Sequence, residues 1–366
     1  MVLTGGGTGG HIYPALALAA ELRSRGVQDL LYVGTAEGLE ARLVPAAGIP
    51  LVTVKARKYS RQHPAQALGA AAGLAFGLGQ AFRLLRCFRP QVVVGTGGYV
   101  CAPVVLAASL SGFPTVLHEQ NAFPGLANRF LASFVSAVCT TFAESETRFP
   151  PGTRVCHTGL PIRPEVLTVT REEAMAKLGL DPNKKTVLAV GGSLGARRIN
   201  EAMLALHRYW QGSTEVQIVH VTGEADFRAF QGRLRAAGID PGRSGNITIV
   251  SYLHQMPQAL AAADVVVARA GATFLAELTA RGVAAVLIPY PYAAENHQEY
   301  NARALLRAGG CELILDRDLT PAALLEKVRH LLVDDRRREE MAARARALGR
   351  PRAAEKIADL LWELAG

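Results

Sequence analysis

The chain has 366 residues, 49% of them hydrophobic and 19% charged, which argues against disorder and against one small domain and suits two α/β domains. Its five cysteines, Cys87, Cys101, Cys139, Cys156 and Cys311, are odd in number, widely spaced and without a CxxC pair, which argues against a disulfide framework or a zinc site and makes a reducing cytoplasm the default. The net charge of +9 is concentrated: residues 41–118 hold no Asp or Glu but carry Arg42, Lys55, Arg57, Lys58, Arg61, Arg83, Arg86 and Arg89, whereas 166–366 are nearly balanced, which points to a localised polyanionic partner.

The first strand is expected at 1–4, running straight into the glycine loop GGGTGGH at 5–11, which leaves no room for a cleavable leader. Buried strands rich in Val, Leu and Ile follow at 30–34, 92–95, 115–118, 187–190, 218–221, 247–250, 265–268 and 285–289. Amphipathic helices are expected at 14–26, 65–88, 103–111, 200–210, 256–263, 274–282 and 298–308. Repeated alternation of this kind means an α/β fold of doubly wound parallel sheets. A second glycine loop, GGSLGAR at 191–197, restarts the pattern of the first. The chain therefore divides near 161–164, into 1–160 and 161–352, and ligands belong at the carboxyl ends of the strands.

Both glycine loops have the strand–loop–helix setting in which bare N–H groups hold an anion. In the first, His11 stands at the mouth of a helix, with Pro14 expected in its first turn; it is either a general base or a cap that touches phosphate. GTGGYV at 95–100 is either a third cradle or a tight turn. HEQN at 118–121 either reads sugar hydroxyls or an acetamide, or caps its own loop. In RAGATFLAE at 269–277, free N–H groups suit a phosphate, and Glu277 suits either a ribose or the helix dipole. ENHQEYN at 295–301 offers amides that can discriminate sugar epimers.

In chain order, GGGTGGHIYPALA, GTGGYV, HEQNAFPG, GLPIRPEV, GGSLGAR, RAGATFLAE and ENHQEYNA resemble the MurG family of glycosyltransferase family 28, over residues 5 to about 301. Members make lipid II from lipid I in bacterial peptidoglycan synthesis. The resemblance implies a GT-B fold, in which two Rossmann-like domains face each other across a cleft and the last helix, 353–366, packs back on the first. It implies inverting transfer of GlcNAc from UDP-GlcNAc to the MurNAc 4-hydroxyl of undecaprenyl-diphospho-MurNAc-pentapeptide, with no obligatory metal or other cofactor. By motif, Thr8, Gly9 and Gly10 line the diphosphate and acceptor side, His11 is the candidate base, and Asn121 meets the GlcNAc. Arg163 and Ser193 lie at the nucleotide, and Leu253 meets the uracil through its backbone. Ala272, Thr273, Phe274, Leu275, Ala276 and Glu277 wrap the phosphates and ribose, with Glu277 on the ribose, and Gln298 reads the sugar hydroxyls. Gly97, Gly98 and Tyr99 belong to the acceptor side. Two positions depart from the family: Cys101-Ala102-Pro103 stands for Ser-Gly-Pro, which weakens a cradle role for GTGGYV, and Ala270 replaces a serine.

The charge map adds an anionic membrane surface as a partner. Leu74, Leu78 and Phe82 recur at helical spacing inside an uncharged window that Arg83 and Arg86 border, which suggests a peripheral patch on the cytoplasmic face of the inner membrane. The window is long enough to span a bilayer but is mostly Ala and Gly, with Gln66 and Gln80 inside it, so a transmembrane helix is rejected. Three rivals fit less well. A sugar-nucleotide epimerase leaves the basic, acid-free stretch 41–118 and the HEQN cluster unexplained. A nicotinamide dehydrogenase does not fit, because the loop misses the usual GxGxxG register and Asp29 falls at the start of the strand at 30–34 and not at its end. Nucleic-acid binding lacks a module, and aromatics are only 6%.

Overall fold

A computed structural model describes residues 1–56, 67–192 and 195–366. Arg57, Lys58, Arg61 and the cradle residue Ser193 lie outside them. The chain forms two compact units, Met1–Ile162 with Arg350–Gly366, and Arg163–Gly349, so the division falls two residues beyond the expected 160.

The first unit carries β1 (Val2–Thr4), β2 (Leu31–Gly34), β3 (Leu51–Thr53), β4 (Val93–Gly95), β5 (Thr115–Glu119), β6 (Ala137–Thr140) and β7 (Val155–His157). They pair in the order β3-β2-β1-β4-β5-β6-β7, all parallel. The inner strands are buried on both faces, which is why they read as unbroken apolar runs. Register decides where the loops fall: Thr4 pairs with Gly95 and Gly95 with Leu117, so the turns leaving β1, β4 and β5 stand side by side.

One face of this sheet is covered by the helix Gly9–Ser24, through Ile12, Leu18 and Leu22, and by the helix Ala353–Ala365, through Ile357 and Leu361. Full burial of a side chain such as Leu361 contributes roughly 1.5–3 kcal/mol. Arg25–Asp359 at 2.5 Å and Arg154–Glu363 at 2.9 Å add surface pairs to the returning helix. The helices Ala67–Phe88 and Cys101–Leu110 cover the other face through Leu85, Val104 and Ala108. The first helix begins at Gly9 rather than near residue 14, because Thr8 in extended conformation is its N-cap. Pro14 thus lies inside the helix, where it cannot donate to the Gly10 carbonyl, and Gly9, Gly10 and His11 form the opening turn.

The second unit carries β8 (Lys185–Val190), β9 (Val216–Val221), β10 (Ile247–Val250), β11 (Val265–Ala268), β12 (Ala284–Leu287) and β13 (Glu312–Leu313), in the parallel order β10-β9-β8-β11-β12-β13. Val190, Ala268 and Leu287 form one row across it, so the second glycine loop, the 269–271 turn and the 288–296 segment leave the sheet together. Its core joins β8, β9, β11 and β12 to the helices Arg197–Trp210 and Pro321–Val333. The strands missing from the sequence reading are β3, β6, β7 and β13. Each has four residues or fewer, and β3, β7 and β13 are only partly covered, so no alternation develops.

Candidate active site

In the first unit three motifs converge. The His11 ring sends Nδ1 to the Gly6 carbonyl at 3.1 Å, with Thr8 Oγ1 at 3.3 Å. A carbonyl only accepts, so Nδ1 carries the proton and, in the neutral ring, Nε2 holds the lone pair. The Thr96 hydroxyl donates to the His11 carbonyl at 2.8 Å, and Gly6 N–H donates to the Gly97 carbonyl at 3.3 Å. GTGGYV is therefore packed against the first loop. A Cβ on Gly98 would stand 2.2 Å from the Gly6 carbonyl oxygen, and the Tyr99 ring lies over Gly7. Gly98 serves close approach of backbone to backbone, and Gly7 makes room for the Tyr99 ring. Cys101 does what a serine would do: it accepts Gly97 N–H at 3.3 Å and donates to the Thr4 carbonyl at 3.4 Å. Burial pushes its thiol up to about 12, so it stays protonated.

The first loop is not a bare cradle either. Gly7 N–H donates to the buried Glu40 carboxylate at 3.2 Å, which also takes the Thr35 N–H at 3.1 Å and the Thr35 hydroxyl at 2.6 Å. An anion is built in beneath the glycines. Glu40, 33 residues away from Gly7, carries no motif that would have announced it. Thr8 and Gly10 are exposed and Gly9 half-buried, at the start of the helix.

The HEQN segment ends β5. Glu119 is buried, which raises its carboxyl, but four donors oppose that: Asn121 N–H at 2.9 Å, Asn128 Nδ2 at 2.8 Å, Gly125 N–H at 3.1 Å and Asn121 Nδ2 at 3.3 Å. Asn121 is thus aimed by Glu119, a role the sequence does not display. His118 is buried and donates Nε2–H to the Gly159 carbonyl at 2.8 Å. Burial lowers its pKa to about 4, and it stays neutral at pH 7.

In the second unit, Arg163 grips Glu277 with both arms, Nε to Oε1 at 2.7 Å and Nη2 to Oε2 at 2.8 Å. The two residues expected to reach the nucleotide separately are one bidentate pair, and Glu277 is almost wholly buried. Glu277 sits in the helix Ala272–Arg281, whose N-cap is Gly271; its first turn presents the N–H groups of Ala272, Thr273 and Phe274. Leu275 packs its side chain into the protein and Ala276 is half-buried, so their contribution is main-chain.

Gln298 accepts from Ala270 N–H at 3.2 Å and from Tyr290 N–H at 3.0 Å, both through Oε1. Its amide orientation is fixed by those two donors, so Nε2 is the end left to address a ligand. Arg269 clamps the same corner through the carbonyls of Ile288 at 3.1 Å and Pro289 at 3.0 Å and through Asp316 at 2.7 Å. Glu295 and Asn296 both adopt left-handed backbone, at φ 53°, a strained entry that sets the start of the helix His297–Arg307. Leu253 is half-buried after β10, beside an edge-to-face pair of Tyr252 and His254.

The apolar stripe is divided by the structure. Leu78 and Phe82 pack against the core together with Leu85, because helical periodicity turns 78, 82 and 85 inward. Leu74 is exposed, as are Arg83 and Arg86. Exposed apolar residues of the same unit that the sequence reading missed include Phe76, Leu110, Leu126, Phe130 and Phe134, with the Lys55 ammonium over the Phe76 ring. Among the described residues, no helix is long and apolar enough to cross a membrane, and no group of three or more His, Cys, Asp or Glu is placed to hold a metal ion.

Two parallel-sheet α/β units, each opening its site with a glycine turn after its first strand, define a GT-B glycosyltransferase. Residues 1–140 match the glycosyltransferase family 28 N-terminal domain and residues 186–357 the family 28 C-terminal domain. The chain is 49% identical over 362 residues to the UDP-N-acetylglucosamine–N-acetylmuramyl-(pentapeptide) pyrophosphoryl-undecaprenol N-acetylglucosamine transferase of Moorella thermoacetica, covering 99% of this chain and 98% of that one. The transferase of the same name from Desulforudis audaxviator is 46% identical, over 100% and 98%. Among solved structures, MurG of Acinetobacter baumannii superposes with a TM-score of 0.78 at 30% identity, over 99% of both chains. The UDP-GlcNAc 2-epimerase of Neisseria meningitidis reaches 0.70 at 14% identity, which shows a shared fold alone. The chain belongs to glycosyltransferase family 28, on its MurG branch, and is an N-acetylglucosamine transferase.

Proposed function

We propose that the two units divide one inverting transfer, from UDP-GlcNAc to the MurNAc 4-hydroxyl of undecaprenyl-diphospho-MurNAc-pentapeptide. Likeness to the named transferases along the whole chain carries the reading. The hydroxyl oxygen bonds to C1 of GlcNAc from the face opposite UDP, the C1–O bond to the diphosphate breaks, and its electron pair leaves with UDP. His11 Nε2 takes the hydroxyl proton, since Nδ1–H is committed to Gly6.

On the donor side, the first-turn N–H groups of Ala272–Arg281 and the loop that contains Ser193 meet the diphosphate as it gains charge. Glu277 serves the ribose without releasing Arg163, because a carboxylate accepts about four hydrogen bonds. Gln298 donates Nε2–H to a sugar hydroxyl oxygen, and Leu253 meets the uracil through its main chain. Asn121 meets the GlcNAc, and on the acceptor side stand the first glycine loop and Tyr99. No obligatory metal enters the scheme. The test is transfer of labelled GlcNAc to a lipid I analogue, with UDP-GalNAc, no-acceptor and EDTA arms. Acceptor-dependent transfer from the GlcNAc donor alone, unchanged by EDTA, is expected. Turnover without acceptor would favour an epimerase, and loss of rate in EDTA would end the metal-free scheme.

Attachment is peripheral, at the cytoplasmic face of the inner membrane. The support is exposed Leu74, Phe76, Leu110, Phe130 and Phe134 in a unit that also carries exposed Arg83, Arg86 and Arg89. Each basic residue near an anionic surface adds about 1 kcal/mol. Binding to phosphatidylglycerol-containing vesicles that weakens with salt and with Phe130→Ser is expected; equal binding to neutral vesicles at any salt would refute it.

A further inference from the structure

Gln120 stands between the buried His118 and the site, and its amide can point only one way. Its Nε2 lies against three acceptors, the Thr96 carbonyl, the His118 carbonyl at 3.2 Å and His118 Nδ1 at 3.2 Å, which share its two protons. His118 Nδ1 is an acceptor because its other nitrogen donates to Gly159. Two carbonyls and one bare ring nitrogen thus draw the NH₂ group inward, which turns Oε1 outward. No described hydrogen bond ends on that oxygen.

What Oε1 faces is read from Gly97, whose φ of +100° places it in the left-handed region. A Cβ built there would lie 2.8 Å from His11 Cδ2, 3.1 Å from His11 Nε2 and 3.4 Å from Gln120 Oε1. The proton-accepting edge of the imidazole and the Gln120 carbonyl therefore border one small space, which exists because residue 97 has no side chain. Gln120 is buried, so the carbonyl dipole is weakly screened there.

We propose that Gln120 is a positioning residue for His11: its fixed carbonyl faces the Cδ2–Nε2 edge and stabilises the imidazolium formed when the ring takes the acceptor's proton. The inference deepens the base reading of His11 and rests on it. The pattern is His118 orienting Gln120, and Gln120 orienting charge on His11. A neutral His118 is part of it, because a proton on Nδ1 would turn one of the three acceptors around the NH₂ group into a repelling donor. Other titratable groups near His11 are Tyr13 on its own helix, Glu40 and Tyr32 beneath the glycine loop, Tyr99 and Cys101 on the β4 turn, and His118 itself. Glu40 is an acid whose field these variants leave in place.

The experiment is ¹⁵N NMR of histidine side chains in the full-length protein, with the His11 signal assigned by its loss in His11→Asn. Gln120→Leu removes the dipole, and Gln120→Met does so with a side chain of similar length in case leucine disturbs the loop. The His11 pKa is expected to fall by about 0.5 or more in both. His118→Phe removes one of the three acceptors that hold the amide and leaves the two carbonyls, so a smaller shift in the same direction is expected. A His11 pKa equal to wild type in folded Gln120→Leu and Gln120→Met overturns the proposal and leaves the base reading untouched. If the pKa falls while the acid limb of kcat/KM stays in place, the coupling stands and the base reading is what fails. An acid limb that follows the NMR value supports both.

Discussion

Glu40 and His11 divide the first glycine loop between structure and chemistry. The Gly7 amide is held by a buried carboxylate and the Gly6 amide by a backbone carbonyl, so what remains for a substrate is the helix mouth and the imidazole. Glu40→Gln keeps the volume but places an NH₂ donor opposite either Gly7 N–H or the Thr35 N–H and hydroxyl, since those two sides use different carboxylate oxygens. A buried unmatched donor costs about 1–3 kcal/mol. The expected result is at least a tenfold loss in kcat/KM for the lipid acceptor with UDP affinity unchanged; an equal loss on both substrates would place the effect elsewhere. His11→Asn should lower kcat by about 10²–10⁴ with little change in KM for UDP-GlcNAc, measured with intact acceptor. Turnover near wild type would remove the base assignment. At this scale the motifs were legible as residue types and not as partners. Nothing in RAGATFLAE shows that Glu277 is gripped by Arg163, and nothing in HEQN separates Gln120, turned inward by His118, from Asn121, held by Glu119.

At the scale of elements, parallel strands and their crossover helices followed from apolar runs bounded by glycine and proline, and register then brought the motif-bearing turns together. What could not be read was which glycines meet a ligand and which meet their own chain. The 97–98 pair looks like a phosphate loop because positive φ and close approach are needed in both cases. Two alanine substitutions separate those demands. Gly26 has φ +91° with nothing within 4 Å of a built Cβ, whereas Gly98 has φ +86° and the Gly6 oxygen 2.2 Å away. Gly26→Ala should cost about 1 kcal/mol of strain, and Gly98→Ala should cost more in stability and abolish transfer, because the first loop must move. Calorimetry with the transfer assay checks this; equal costs would mean that the contact is not limiting. The stripe at 74, 78 and 82 was half legible for a similar reason: spacing shows that residues share a face and not whether another layer covers it.

For the whole molecule, pH is the simplest probe. His118, His207 and His220 are buried, and burial depresses all three, the first two to about 4. Above the ordinary value of about 6.5 both folded and unfolded chains leave them neutral. Between there and about 4 the unfolded chain takes up protons that the folded chain refuses, so stability falls as pH falls, on the order of 1 kcal/mol per pH unit for each histidine. A melting temperature that drops between pH 6.5 and 4.5, with a shallower slope in His207→Gln, is the expected outcome; a flat profile would show these histidines accessible to protons. The return of the helix Ala353–Ala365 to the first unit has a consequence in time rather than in energy. During synthesis the ribosome completes 163–349 while Ile12, Leu18 and Leu22 still lack Ile357 and Leu361. The half that begins first is finished last, so one apolar face of its sheet is only partly covered, by the helix Gly9–Ser24, until the helix Ala353–Ala365 emerges.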